Sequence, residues 1–279
     1  MIDNKLTIII TSFKSKETIL SCLKSIDTAY KIIVVENSND NNFKLYIEGK
    51  FSNSECVIAG ENLGYAKGNN LGLSKVKTQY ALIINPDVVL REDTIRNFFI
   101  SADKIKKFAI IAPTSEDGNS LKNQTNSITE VDQVKGFAMF LNMNEFKEVG
   151  FFDSNFFIYL EEIDLCKRLK KNNKKIYTDS NILVKHLGGA SHDEEYNFEM
   201  ELSRNWHWMW STFYFSKKYN GYPRALYFNF TKLISCLIKS FYFSITMNKS
   251  KKLIYLYRFL GLFNSIIGKK SWYRPFNKS

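Results

Sequence analysis

The chain has 279 residues, of which 44% are hydrophobic and 24% charged; it is long enough for one large domain with an appendage, and this composition excludes a disordered chain. Its four cysteines, Cys22, Cys56, Cys166 and Cys236, lack the CxxC spacing of a zinc site or disulfide framework and fit a reducing compartment. The net charge of +11 is unevenly placed: all 28 acidic residues lie at or before Glu201, whereas Leu202 to Ser279 hold 14 Lys and Arg and no Asp or Glu, which points to an anionic partner, either lipid head groups or nucleic acid.

The opening stretch MIDNKLTIIITSF carries one short apolar run and reads as a first strand, without a signal-peptide pattern. Short β-branched runs recur at 6–11 (LTIIIT), 31–36 (KIIVVE), 56–59 (CVIA) and 80–85 (YALIIN), apolar on both faces as parallel strands under helices are. Between the first two, Ile19, Leu20, Leu23 and Ile26 recur at helical spacing. Between the third and fourth, GNNLGLSKV starts a helix after Gly68 and Asn69. This alternation predicts an α/β fold, doubly wound, with a mostly parallel sheet and ligands bound beyond the C-terminal strand ends. Glu36, Asn37, Asn85 and Asp87 sit at two such ends. Either cluster alone reads equally as a turn or a helix cap; the two together place carboxylates on one crevice.

The stretch ENLGYAKGNNLGL (61–73) has Gly64 and Gly68 where a backbone could approach a ligand, and N–H groups at a helix start suit phosphate, although such a turn is often only a turn. Asp87, in NPDV, could hold Mg²⁺ or Mn²⁺ against a diphosphate, with the other oxygens supplied by phosphate and water; alone it is a turn residue. In GFFDSNFFIYLEEIDLCKRLKKNNKKIY (150–177), aromatics crowd up to Glu161 and Glu162, after which Ile163, Leu165, Cys166 and Leu169 turn inward on a helix. The helix dipole by itself favours carboxylates there, but their place after FFIYL sets them against an aromatic wall. Asp164 and Arg168, four apart, read as a pair on the helix surface. His186 ends another apolar run and is either structural or a metal ligand opposite Asp87.

In order, IIITSFKSKETILSCLKSI, IIVVENSND, NLGYAKGNNLGL, LIINPDV, VKGFAMFLNMNEFKEVGFFDSNFFIYLEEIDLCKRL and ILVKHLGGAS resemble the blocks of family 2 inverting glycosyltransferases with the GT-A fold, in particular the rhamnosyltransferase-like branch of bacterial polysaccharide biosynthesis. The resemblance implies a GT-A domain over residues 1–215 and a basic, aromatic-rich, membrane-associating helical tail over 216–279. Residue by residue, it implies that Ser12 and Phe13 lie in the first nucleotide loop and that Glu36 reads the base. Asn62, Gly64, Lys67, Gly68, Asn69, Asn85 and Gly136 belong to the donor side; Asp87 and His186 bind the metal. Glu162 is the catalytic base, and Glu161 holds sugar hydroxyls. Trp206 and Trp208, in RNWHWMWSTFYFSKKY (204–219), line the acceptor side, with Trp210 beside them. Three positions depart from the pattern: Glu36 and Glu162 stand where Asp is usual, and Lys14 replaces a common Asn.

The reaction implied is transfer of a sugar, L-rhamnose from dTDP-rhamnose first and a UDP-hexose or galactofuranose donor second, to a polyprenyl-linked or oligosaccharide acceptor. Its cofactor would be Mg²⁺ or Mn²⁺, and its location the cytoplasmic face of the cell membrane. A direct inverting displacement needs one base; successive helical residues point about 100° apart, so Glu161 is not a second one. A nucleotidyltransferase would want a Gly-rich turn that TSFKSKET lacks, and a non-catalytic sugar-binding module would leave the Glu pair outside the crevice. In the tail, 222–245 and 253–268 are apolar and aromatic with interspersed lysines. Both read as helices lying in a membrane interface, with core helices or a membrane hairpin as alternatives. Nucleic-acid binding is disfavoured because the aromatics sit inside apolar runs.

Overall fold

The computed structural model describes residues 5–115, 128–186 and 191–276. They form two compact units: Met1–Phe152 with Glu162–Glu194, and Asp153–Glu161 with Glu195–Ser279.

The first unit is built on a mixed sheet. Its strands are β1 (Leu6–Ser12), β2 (Lys31–Glu36), β3 (Ser54–Ile58), β4 (Tyr80–Ile84), β5 (Val88–Leu90), β6 (Ile110–Ser115), β7 (Ile128–Glu130), β8 (Ala138–Asn142) and β9 (Ile176–His186). The order is β3-β2-β1-β4-β8-β6-β9-β5, with β7 also on β9. β1, β2, β3, β4, β6 and β9 run one way, and β5, β7 and β8 run against them. The four strands expected from sequence are the parallel block β3-β2-β1-β4. The antiparallel strand β8 and the strands β5, β6, β7 and β9 beyond it were not expected.

Side-chain alternation distributes the helices over both faces. Leu6, Ile8 and Ile10 point into a core with Ile19 and Leu23 of α1 (Thr18–Lys24), Phe43 and Ile47 of α2 (Asn41–Lys50), and Phe98 and Phe99 of α4 (Thr94–Ile105). On the other face, α3 (Gly64–Leu73) crosses β1 closely. A Cβ on Gly68 would lie 2.6 Å from Thr11 Cγ2, and one on Gly72 2.6 Å from Ile9 Cγ2. Glycine here serves helix-on-strand contact, and α3 begins six residues earlier than expected. Asp40 is a cap: its carboxylate accepts the N–H groups of Asn42 and Phe43 at the start of α2. For that residue the modest reading of the acidic cluster is the correct one.

The second unit packs α6 (Asn197–Asn220), α7 (Tyr222–Ile245) and α8 (Lys249–Ile266) together. Trp206, Met209, Trp210 and Phe213 recur at helical spacing on the buried face of α6. Gly261 of α8 lies against the Trp206 carbonyl with no room for a Cβ, and Ser265 Oγ donates to Trp210 O at 2.9 Å. Two expectations change here. The division expected at 215/216 falls inside the unbroken α6. The run 253–268, expected as an interfacial helix with a core helix as an alternative, forms α8 and packs on both α6 and α7, which favours the alternative. No helix among the described residues is long and apolar enough to cross a membrane.

Candidate functional site

β2, β1 and β4 are adjacent and parallel, with Ser12 opposite Glu36 and Ile10 opposite Ile84, so their C-terminal ends lie side by side. That edge gathers Ser12, Glu36, Asn37, Asn85 and Asp87. Ser12 is buried, its hydroxyl 2.7 Å from Ser15 Oγ. Glu36 is also buried, and its two carboxylate oxygens accept the N–H groups of Ser38 (2.7 Å) and Asp40 (2.8 Å). The longer side chain thus folds back to hold its own loop. Asn37 Nδ2 donates to Gly64 O at 3.2 Å, and Asn37 Oδ1 is buried without a partner.

Asp87 is 2% exposed. One carboxylate oxygen, Oδ2, lies 3.5 Å from His186 Nε2; the other, Oδ1, is buried with no hydrogen-bond donor. His186 ends β9 and stacks on Phe137, ring centroids 4.6 Å apart and planes 17° from parallel. Phe137 O accepts the N–H of Asn85 at 2.9 Å, which ties the start of β8 to the end of β4. Next to Phe137, Gly136 accepts a hydrogen bond from the Tyr65 hydroxyl. A Cβ on Gly136 would stand 3.6 Å from Cβ of Glu162. Asp87, His186, Phe137, Gly136 and Glu162 therefore form one chain of neighbours within the first unit.

Glu162 lies in the first turn of α5 (Glu161–Lys171) and is half-buried. Burial pushes its carboxyl above the usual carboxylate range, partly offset by hydrogen bonds from its own N–H and that of Ile163. The helix start keeps such a group ionisable, and burial makes it a stronger base than an exposed glutamate. Behind it, Leu165, Cys166 and Leu169 anchor α5 as expected. The Asp164–Arg168 pair forms at 2.8 Å, but Asp164 is fully buried and not on the surface. Arg168 also donates to the carbonyls of Val149 (2.8 Å) and Phe151, clamping the turn ahead of the aromatic run. Tyr159 and Leu160, just before the Glu pair in the chain, both hold left-handed backbone (φ 74° and 68°). Side chains there cost strain of about 1 kcal/mol each, and such strain gathers at functional sites.

The remaining expected residues fall as follows. Phe13 is half-buried after β1 and Lys67 is exposed on α3. Asn62 Oδ1 accepts the Gly64 N–H at 3.1 Å. Gly68 and Asn69 lie inside α3, not in an open loop. Asn69 is buried, bridging Thr11 Oγ1 (3.0 Å) and Tyr65 O (3.0 Å), so both residues serve packing. Glu161 is buried. Trp206 is 1% exposed, a core side chain of the second unit that cannot line an acceptor surface; Trp208, 43% exposed, points outward beside Tyr159. The helical period separates them, since residues two apart lie about 200° around the axis.

Sequence reading passed over Tyr65 and Asp193, and took Arg168 only as the surface partner of Asp164. Asp193 accepts the N–H groups of Lys16 (3.1 Å) and Glu17 (3.2 Å), and its own N–H donates to Lys14 O at 2.7 Å, pinning the loop after β1. Only its position among acidic neighbours was visible, which is no signal for a loop clamp.

An aspartate oxygen without a donor, next to an imidazole nitrogen, is a donor pair that suits a divalent cation with its other positions open. Among the described residues, no group of three or more His, Cys, Asp or Glu is gathered for a metal, so this pair would be the protein's whole contribution.

Residues 7–166 match the family model described as glycosyl transferase family 2. The low-salt glycan biosynthesis hexosyltransferase Agl10 of Haloferax volcanii is 25% identical over 202 residues, covering 63% of this chain and 64% of its own. Rhamnosyltransferase WbbL of Escherichia coli K12 is 25% identical over 251 residues, covering 76% and 92%. Among solved structures, mannosyltransferase PcManGT from Pyrobaculum calidifontis, in complex with GDP-Man and Mn²⁺, superposes with a TM-score of 0.60 at 11% identity, covering 95% of this chain and 88% of that one. S. aureus TarS gives 0.53 at 13% identity, covering 71% of this chain. This chain spans under two thirds of the Agl10 length and 38% of TarS. The structural likeness is one of fold, the GT-A arrangement. With the family model spanning more than half of its length, this chain belongs to glycosyl transferase family 2.

Proposed function

We propose that the chain transfers a sugar from a nucleoside diphosphate donor to a hydroxyl of a growing glycan, with inversion at the anomeric carbon. The observation that carries this reading is the line of neighbours from Asp87 through His186, Phe137 and Gly136 to Glu162. It supports a diphosphate end at the β4 tip and a base end at the start of α5. Asp87 and His186 would hold Mg²⁺ or Mn²⁺, which when bound supplies positive charge for the departing diphosphate. Glu162 accepts the proton of the attacking hydroxyl; its raised pKa makes it a better acceptor than an exposed carboxylate. Glu161 holds a sugar hydroxyl, and Phe13, Asn37, Asn62, Lys67 and Asn85 face the donor.

Among donors, dTDP-rhamnose comes first and a UDP-hexose or galactofuranose donor second; the rhamnosyltransferase relative supports the order. A polyprenyl-linked acceptor, on the cytoplasmic face of the membrane, fits the basic and aromatic second unit.

The test is a screen of nucleotide sugars with Mg²⁺ or Mn²⁺ and a membrane extract as acceptor source. One donor is expected to turn over in a cation-dependent way. Glu162→Gln should abolish transfer while calorimetry still shows nucleotide binding; near-normal turnover in that variant would remove the assignment.

A further inference from the structure

We propose that α7, and α7 alone, is the element that enters an anionic lipid surface, lying in its plane. The proposal rests on the peripheral attachment read above and assigns it to one helix face.

The helix is built inside out. Its buried positions are Ala225, Asn229, Cys236 and Ser240, small or polar, while its large apolar side chains face outward. Tyr227, Phe230, Ile234, Ile238, Phe241 and Ile245 recur every three or four residues and form a single outward stripe. Tyr227 is 78% exposed, Phe241 69% and Ile245 65%. A contiguous apolar stripe of this size on a water-facing helix is otherwise unfavourable and marks an interaction surface.

The charge around it selects the occupant. Residues 202–279 contain no Asp or Glu, so the helical tail is positively charged; exposed Lys232 and Lys239, seven apart, lie on the α8 side of the helix, Lys232 Nζ donating to Asn229 Oδ1 at 3.2 Å and Lys239 standing over the Tyr255 ring. A second copy docked through its own α7 would bring the same positive charge and no acidic side chain to meet it. An anionic bilayer matches both features: the stripe enters the acyl boundary while the exclusively basic stretch 202–279 is drawn to the negative surface. At 24 residues, α7 would extend about 36 Å along the surface. α8 does not share the role: Tyr255, Phe259, Leu262 and Ile266 pack in a cluster with Met209 and Phe213 of α6 and Ala225 and Cys236 of α7, which leaves Phe263 as its exposed large apolar side chain.

The full chain is tested by co-sedimentation with vesicles of phosphatidylglycerol and phosphatidylcholine, and with phosphatidylcholine alone. Wild type should bind the anionic vesicles. Phe230→Ser/Ile234→Ser/Phe241→Ser should weaken binding roughly a hundredfold, and Lys232→Gln/Lys239→Gln by less, at most about twenty-fivefold from about fivefold per lysine. The α8 variant Phe263→Ser should bind within about threefold of wild type. These substitutions are at exposed positions, and circular dichroism checks the fold. A nitrobenzoxadiazole probe on Phe241→Cys should shift to the blue on anionic vesicles, whereas one on Phe263→Cys should not. Donor hydrolysis in solution should be equal for wild type and the triple α7 variant, so the result is separate from the catalytic reading. Undiminished vesicle binding by the triple variant would overturn the proposal. So would a wild-type dimer that this variant dissolves without any vesicle binding, or capture of duplex DNA in preference to vesicles.

Discussion

Gly136 lies against Glu162: a side chain on Gly136 would begin 3.6 Å from the Glu162 Cβ and 3.3 Å from the Tyr65 hydroxyl. Tyr65 already donates to the Gly136 carbonyl, so the ring cannot withdraw without losing that bond. Gly136→Ala should therefore press the Tyr65 hydroxyl back by a few tenths of an ångström, meet Glu162 in ordinary contact and lower turnover by no more than about threefold; the added branches of Gly136→Val should crowd Glu162 and lower it about a hundredfold. Steady-state kinetics on soluble, folded variants checks this, with nucleotide affinity expected to change little.

As the base of the proposed reaction, Glu162 should set the acid limb of the pH profile. Burial makes its carboxyl hold a proton above the ordinary value of 4.5, and the protonated form cannot accept one from an acceptor. Activity should fall as pH drops through that raised pKa, at a higher pH than for an exposed glutamate. Glu162→Asp, the residue usual in the resembling family, should retain measurable turnover with a displaced limb. The stability sign follows from the same shift. The folded state binds the proton more tightly than the unfolded one, so stability falls as pH rises from the unfolded pKa to the folded one. Glu162→Gln should then raise the melting temperature at neutral pH while abolishing activity.

Removal of the cation with a chelator should stop turnover. Asp87→Ala should raise the half-saturating Mn²⁺ concentration by more than tenfold, and His186→Ala by less, because a carboxylate contributes charge and a neutral imidazole does not. Calorimetry of nucleoside diphosphate binding with and without Mn²⁺ separates the two. An unchanged cation dependence in Asp87→Ala would exclude this residue as a ligand.

Arg168 is a structural clamp. Removing it leaves the fully buried Asp164 without its guanidinium and frees the carbonyls of Val149 and Phe151. Arg168→Ala should destabilise the fold by about 3 kcal/mol, since breaking a buried pair from one side strands a charge. Urea unfolding measures it, and Arg168→Lys should recover only part, because one ammonium cannot replace the forked contacts.

Lys14 holds left-handed backbone at φ 50°, where Asn is accepted more readily than Lys. Lys14→Asn should stabilise the protein by about 0.5 kcal/mol, and Lys14→Gly by a similar or smaller amount because of its greater unfolded-state entropy. Both leave in place the backbone bonds from Lys14 N to Ser38 Oγ (2.8 Å) and from Asp193 N to Lys14 O.

Much of the parallel sheet was legible in the sequence because strands buried on both faces read as short continuous apolar runs, as at Ile8–Ile10 and Ile32–Val35. Glu36 and Asp87 could be placed at strand ends for the same reason. The roles of neighbouring residues were not legible. Asp40 caps a helix, Glu36 folds back on its loop, and Gly68 makes room for Thr11, although all three sit in motifs read as ligand-binding. Each outcome depends on which backbone groups come within 3 Å, and one-dimensional spacing does not carry that.

The amino-acid order alone determined the alternating strand and helix layout, the placement of carboxylates after β2 and β4, and the exclusively basic stretch after Glu201, because these follow from periodicity and charge count. Tertiary structure decided that His186 faces Asp87, that Glu162 lies beside Gly136, that Trp206 is core while Trp208 is surface, and that α7 carries its large apolar residues outward while Tyr255, Phe259, Leu262 and Ile266 of α8 pack against its neighbours. The physical reason is that direction and burial are properties of packing: a side chain's face is fixed only when a neighbouring element occupies or vacates the space beside it.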